Sequence, residues 1–361
     1  MTIKKNDVKQ IKSVLIKDNE IYKYQNDIFK LYSRTDYSHY MQSIEWFFCQ
    51  NKNTSYFYIL TFYGNTLVAY SLIYIRNYKL INKAKYFISR GPILENKSYF
   101  KPHLEAVVSN IEKNGIYLRL TTYIHGKEYL FYKKEIESCQ FFSTQSDSSL
   151  YNSTVILDLS DSLQTIRGNF RRSLKTQINK ASKQSIYVDE DISSHEYFRF
   201  VELHNKFSMM RGFGEIEKNF ADCLFRKIKH NPQFGKVLLA KYENEIVAGI
   251  ILLVSGNRAI YTWGYSSQDD KHNKLPLSHL LHWSGIQWAK NMNLKYYDFG
   301  GYWEERGDND PINRFKTGFS KEIQCFVPEH TLYLSQSLGR LFYYLEKLKN
   351  TLDKINFLQK N

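Results

Sequence analysis

The chain has 361 residues, enough for two domains at roughly 100–200 residues each, and its 43% hydrophobic and 24% charged content excludes a disordered chain. Its net charge of +14 has two readings: a lysine-rich composition that keeps the protein soluble, or the footprint of a polyanionic partner such as tRNA, a lipid-linked diphosphate or an anionic membrane. Cys49, Cys139, Cys223 and Cys325 stand far apart, with no CxxC pair and no histidine at ligand spacing, which argues against zinc and a redox dithiol and fits a reducing cytoplasm.

The first twenty residues, MTIKKNDVKQIKSVLIKDNE, lack the apolar core of a signal peptide, and no apolar run is long enough to span a bilayer. Residues 58–73 (YILTFYGNTLVAYSLI) predict a β-hairpin turning at Gly64-Asn65. Residues 162–183 predict one basic amphipathic helix, with Ile166, Phe170, Leu174, Ile178 and Ala181 as its apolar stripe. Residues 237–252 (VLLAKYENEIVAGIIL) predict a second hairpin, turning at Glu243-Asn244. Aligning Tyr63 with Tyr242 also pairs Asn65 with Asn244, Val68 with Val247 and Ala69 with Ala248, a weak internal repeat with one copy in each half.

Residues 258–265 then predict a strand and 276–290 a helix, with Pro276 and Ser278 in its first turn. Residues 295–299 predict a short strand ending at Gly300-Gly301. Finally, Leu338, Leu341, Phe342, Leu345, Leu348, Leu352 and Ile355 recur at three and four among lysines. That helix reads either as packed on the first domain or as a basic amphipathic helix at an anionic membrane surface.

Three stretches carry a resemblance to a known family: Arg90-Gly91-Pro92-Ile93, Tyr297-Asp298-Phe299-Gly300-Gly301, and Arg314-Phe315-Lys316-Thr317-Gly318-Phe319. They resemble the RGP turn, the YDFGG motif and the FKxGF motif of the FemX/FemAB-like peptidoglycan-bridge aminoacyltransferases. Residues 42–46 (QSIEW), 155–160 (VILDLS) and 263–267 (WGYSS) add weaker support, so the resemblance spans nearly the whole chain in family order. No insertion is long enough for the coiled-coil arm of some members, so the arm-less branch is the better comparison.

The resemblance implies an α/β (α+β) fold of two tandem GNAT-like domains, each a mixed, mostly antiparallel sheet flanked by helices. The expected division is 1–153 plus a returning 322–361 for the first domain, and 154–321 for the second. It also implies transfer of an amino acid from aminoacyl-tRNA to an amine of a lipid-linked or UDP-linked peptidoglycan precursor. The expected enzyme is a cytoplasmic monomer without cofactor or metal, in peripheral contact with the inner membrane surface.

Aminolysis of an activated ester needs positioning, a deprotonated amine and oxyanion donors, not a Ser-His-Asp or Cys-His set. Lys316 is the expected catalytic residue, a point charge held by apolar neighbours that anchor a strand, with Phe315 beside it. Asp298 is expected to fix the Gly300-Gly301 turn, with a catalytic base as the alternative. Arg211, Tyr261, Tyr265, Arg90, Gly300, Gly301 and Arg314 are the expected substrate-binding residues. Arg171, Arg172 and Lys175 suit the tRNA acceptor stem, or are a solvated helix face.

Two acceptor-side positions depart from the family: Cys49 stands where a lysine is usual, and Thr121 where an aspartate is usual. A surface-polysaccharide amino sugar or a small-molecule amine is therefore an alternative acceptor, and an acyl-CoA- or acyl-carrier-dependent N-acyltransferase acting on an amino sugar in surface-polysaccharide assembly is a competing reading. Against it, the stretch before Pro276 (SSQDDKHNKL) has no glycine and carries Asp269 and Asp270, unlike the R/QxxGxG/A phosphate loop of acyl-CoA enzymes. A non-catalytic RNA- or membrane-binding protein is the third reading.

Overall fold

The computed structural model describes residues 11–50, 55–111, 115–144, 151–210, 214–272 and 274–360. The chain divides into two units: residues 1–47, 52–150 and 326–361 form the first, and 48–51 with 151–325 the second.

The first unit holds β1 (Ile11–Lys17), β2 (Ser55–Tyr63), β3 (Thr66–Tyr78), β4 (Lys83–Ile88), β5 (Ile93–Leu94), β6 (Gly115–Leu120) and β7 (Phe142–Ser143). A returning strand, His330–Tyr333, inserts between β6 and β7, giving the order β1-β2-β3-β4-β6-return-β7, with β5 beside β3. The second unit holds β8 (Ser153–Asp158), β9 (Ile186–Asp189), β10 (Gly235–Tyr242), β11 (Glu245–Ser255), β12 (Arg258–Ser266), β13 (Tyr296–Tyr302) and β14 (Glu322–Cys325), in the order β14-β8-β13-β12-β11-β10-β9. Each sheet is antiparallel except for one parallel pair, β4 with β6 and β12 with β13.

The repeat seen in the sequence extends to a shared irregularity. β2 pairs with β3 and β10 with β11, and each ladder slips once, at Thr61/Phe62 and at Ala240/Lys241. The residues left unpaired opposite the slips are Val68 and Val247, the two that the internal alignment superposes. The turns differ: Gly64 takes φ +57° in the first, whereas Glu243 and Asn244 take +49° and +65° in the second. Both are ways to match the twist of a two-residue hairpin.

The parallel pairs differ in a way that matters for the site. β4 stays paired with β6 from Ala84 to Ile88. β12 pairs with β13 only over Arg258–Ile260 against Tyr296–Asp298, and beyond Ile260 and Asp298 the two strands part. The helix Leu277–Asn291 packs on β10 and β11 and contributes Leu281, Ile286 and Ala289 to the core.

Residues 162–183 form two helices rather than one, Leu163–Asn169 and Arg172–Ala181. Phe170 turns extended (φ −64°, ψ 148°), and the Arg171 amide leaves the helical ladder to donate to the Gly318 carbonyl at 2.9 Å. A buried contact with the FKTGF segment outweighs one helical hydrogen bond there. The structure also pairs two of the scattered cysteines: Cys49 and Cys223 form a disulfide with Cα atoms 5.3 Å apart. The two lie 174 residues apart, so no local spacing announces the pair.

Candidate functional site

Lys316 ends a short helix, Pro311–Lys316. Asp310 caps that helix by accepting the amides of Ile312 and Asn313 at 2.9 and 3.0 Å, and Pro311 fills the first position, where no amide is needed. Buried Asn313 ties the helix to the preceding loop, donating to the carbonyls of Trp303 and Gly307 and accepting the Trp303 amide. Phe315 and Phe319 anchor it beside His282 and Phe299. The expectation of a strand at Lys316 is thus replaced by a capped helical turn.

The Lys316 ammonium is buried and donates to the Gly301 carbonyl at 2.6 Å. Burial lowers its pKa to about 8, against the opposing pull of Asp298 and Asp310. Such a lysine is charged at neutral pH but close to giving up its proton. The fully buried Asp298 accepts the Gly300 amide at 2.7 Å and a short hydrogen bond from the Thr154 hydroxyl.

Gly300 takes φ +70°, and a Cβ there would come within 3.1 Å of the Tyr261 carbonyl. This glycine lets β13 bulge between Asp298 and Gly301, where the Gly301 carbonyl meets Lys316. β13 therefore runs on through the two glycines to Tyr302 instead of stopping at Phe299.

Tyr261 lies on β12 just past the last pair with β13, its ring 4.7 Å edge-on to that of His282. Burial pushes its hydroxyl up to about 12. His282, with Nδ1 2.9 Å from the Tyr297 hydroxyl, is held neutral: burial first, then the charge of Lys316, push its pKa down to about 3. His279, one turn earlier on the same helix, is lowered to about 4 by burial and by Arg171. Neither histidine was singled out from the sequence. The available signal was their i, i+3 spacing in a segment already read as a helix.

A cavity of 940 Å³ also lies in the second unit. Arg171, Arg314 and Lys321 bring positive charge to its lining, and Asp158, Asp161, Asp308 and Glu322 negative charge. Lys316 and Asp298 do not line it. Arg172 is exposed outside this lining, and Lys175 donates to the Gly168 carbonyl at 2.8 Å. Tyr265 is half-buried, its ring 6.3 Å from that of Phe207.

Arg211 lies outside the described residues. Arg90 belongs to the first unit, where it is buried, donates to the Thr122 carbonyl and stacks over Phe326. Thr121 supports the same turn, its hydroxyl accepting the Arg90 amide at 3.1 Å. Gln42 of the QSIEW stretch bridges Leu72 and Ser89 on the way into it.

In the turn between β12 and the helix Leu277–Asn291, three described amides bond inward. The Ser267 amide donates to Val247, that of His272 to Asp269 and that of Leu275 to His272. The buried His272 ring lies 2.8 Å from the Ser267 hydroxyl, while Asp269 and Asp270 face solvent. Among the described residues that arrangement does not make a phosphate cradle.

Residues 168–317 match the family model described as an acetyltransferase (GNAT) domain. Among solved structures, FemX superposes with a TM-score of 0.75 at 13% identity, over 88% of this chain and 98% of FemX. A tandem GNAT protein from the clavulanic acid biosynthesis pathway superposes with a TM-score of 0.55 at 9% identity, over 90% of this chain and 99% of its own.

This chain is an acyltransferase with the tandem GNAT fold of FemX.

By sequence it matches none of the curated proteins. Within this tandem GNAT chain, the matched domain contains the β12–β13 parting, Asp298 and Lys316.

Proposed function

We propose that the chain transfers an amino acid from aminoacyl-tRNA to an amine of a peptidoglycan precursor stem peptide. The observation that carries this reading is Lys316, a buried, nearly titratable ammonium beside the parted strands, presented by the very segment whose FKTGF sequence resembles the family motif. The amine attacks the ester carbonyl, a C–N bond forms, the ester C–O bond breaks, and the amine proton passes to the departing ribose oxygen. Lys316 donates to the oxyanion in between, exchanging the Gly301 carbonyl for the developing charge. Phe315 and Tyr261 pack against His282 beside the Lys316 helix, and Asp298 with Gly300 and Gly301 holds the strand whose carbonyl Lys316 meets.

Arg171 and Arg314 take the phosphates at the acceptor end of the tRNA, with Arg172 and Lys175 beside them on the stem. Arg211 and Tyr265 belong to the acceptor side of the second unit, and Arg90 builds its own turn within the first. The reaction takes place on the cytoplasmic side, where charged tRNA is found. The matched family's acetyltransferase description favours a second reading, an acyl-CoA donor with an amino-sugar acceptor. The inward-bonded turn before Leu277 disfavours it.

Competition binding separates the two donors. A charged acceptor-stem minihelix is titrated against the protein over a range of salt concentrations, then challenged with acetyl-CoA. The proposal expects affinity that falls steeply with salt, drops in Arg171→Glu and is indifferent to acetyl-CoA. Tight acetyl-CoA binding that excludes the minihelix would sink it.

A further inference from the structure

The C-terminal helix Gln336–Lys360 shows two faces. One docks on the first unit: Phe342 packs edge-on against Tyr78, and Glu346 accepts hydrogen bonds from Lys85, Tyr117 and Arg119 at 2.6, 2.7 and 2.9 Å. The other is bare. Leu341, Tyr344, Leu345, Leu348 and Leu352 are 50–61% exposed, and their spacing of three and four residues puts them in one stripe. Apolar side chains in such a row normally mark an interaction surface.

A second feature of the same unit repeats the chemistry. The turn Lys79–Ile81 between β3 and β4 exposes Leu80 completely and Ile81 by 43%. Tyr78, which packs on Phe342, is the residue just before it, so the turn lies next to the helix. Lys79 is exposed beside the two apolar side chains.

Charge decides what covers this surface. Arg340 and Lys347 edge the stripe on one side and Lys349 on the other, all exposed. From 336 to 349 the only acid is Glu346, and it faces the docked side. Pairing two copies through the stripe would bring these cations together without compensation, whereas an anionic lipid surface neutralises them as it takes up the leucines. No described helix is long and apolar enough to cross a membrane, so this helix lies on the surface. We propose that the exposed face of the C-terminal helix, together with the Leu80-Ile81 turn, docks the first unit onto an anionic lipid bilayer.

The proposal is independent of the transfer reaction and is tested without substrate. The full chain is floated with vesicles of phosphatidylcholine alone or mixed with phosphatidylglycerol, and its mass in solution is measured by sedimentation. It should bind only the anionic vesicles, with binding weakened by salt. Each reversed charge in Arg340→Glu/Lys347→Glu should reduce partitioning by about fivefold or more, since a basic residue near such a surface contributes about that factor. Leu345→Gln/Leu348→Gln and, separately, Leu80→Ser should weaken binding with little change in the thermal melt, because these side chains are half or more exposed in the folded protein. Failure to bind anionic vesicles, binding that ignores both leucine variants, or a dimer that Leu345→Gln/Leu348→Gln dissolves would each overturn the assignment.

Discussion

Lys316→Met keeps most of the apolar stem and removes the charge, so it separates what Lys316 costs the fold from what it does in transfer. The fall from the 10.5 of a free lysine to about 8 means that holding the ammonium in place costs the folded chain about 3 kcal/mol at neutral pH, at 1.36 kcal/mol per pH unit. Loss of the hydrogen bond to the Gly301 carbonyl returns about 1 kcal/mol of that. The variant should therefore be about 2 kcal/mol more stable at pH 7. The sign is fixed by proton uptake: between pH 8 and 10.5 the unfolded chain binds the proton and the folded chain does not, so wild-type stability rises across that window. The advantage of the variant should shrink there and turn into a deficit of about 1 kcal/mol above it. Transfer should fall by about 100- to 1,000-fold, the usual cost of losing one oxyanion donor. Denaturant melts at pH 7 and pH 10.5, beside a transfer assay, read both quantities. A variant that is less stable than wild type at pH 7 and transfers normally would refute the reasoning on both counts.

Gly300→Ala should cost about 1–2 kcal/mol and depress transfer more than binding, because a Cβ at φ +70° is strained and meets the Tyr261 carbonyl, shifting the wall beside Lys316; a melt and a kcat-against-KM comparison check it. Asp310→Ala removes the one carboxylate oxygen that accepts two amides at the start of the Lys316 helix and should cost about 1 kcal/mol, with Asp310→Asn restoring most of it in the same melt. His103 and His282, both fully buried with pKa values lowered to about 3, stay neutral in the folded chain while the unfolded chain protonates below 6.5. Each should thus remove about 1.4 kcal/mol of stability per pH unit as the pH falls from 6.5 towards 3. Denaturation midpoints should slope down in that range, and less steeply in His282→Phe; a flat profile would contradict the burial assigned to both.

Much of the fold could be read because its signals are local. The hairpins around Gly64-Asn65 and Glu243-Asn244 and the helix after Pro276 follow from apolar runs and turn residues. The matching bulges at Val68 and Val247 explain why a weak repeat was visible at all, since a bulge restricts the residues around it. What escaped depends on contacts between distant segments. The helix break at Phe170 arises from Gly318, far along the chain, and the Cys49–Cys223 pair from a separation of 174 residues. The helix carrying Lys316 has a local signal, because Asp310-Pro311 is a cap followed by a first-turn proline, while the motif resemblance rests on Phe315 and Gly318 at its far end. His282 is distinguished from other helix residues only by Tyr261, Tyr297 and Lys316 around it, which come from distant segments. Arg90 shows the converse: its motif stood out, while its side chain is engaged in holding its own turn.

The most direct test of the central claim is the mass of a soluble UDP-linked stem-peptide precursor after incubation with the protein and total charged tRNA. The account predicts a gain of one aminoacyl residue on the stem-peptide amine, abolished when the tRNA is digested with RNase beforehand. No gain with charged tRNA, together with acylation of an amino sugar from acetyl- or acyl-CoA, would contradict it.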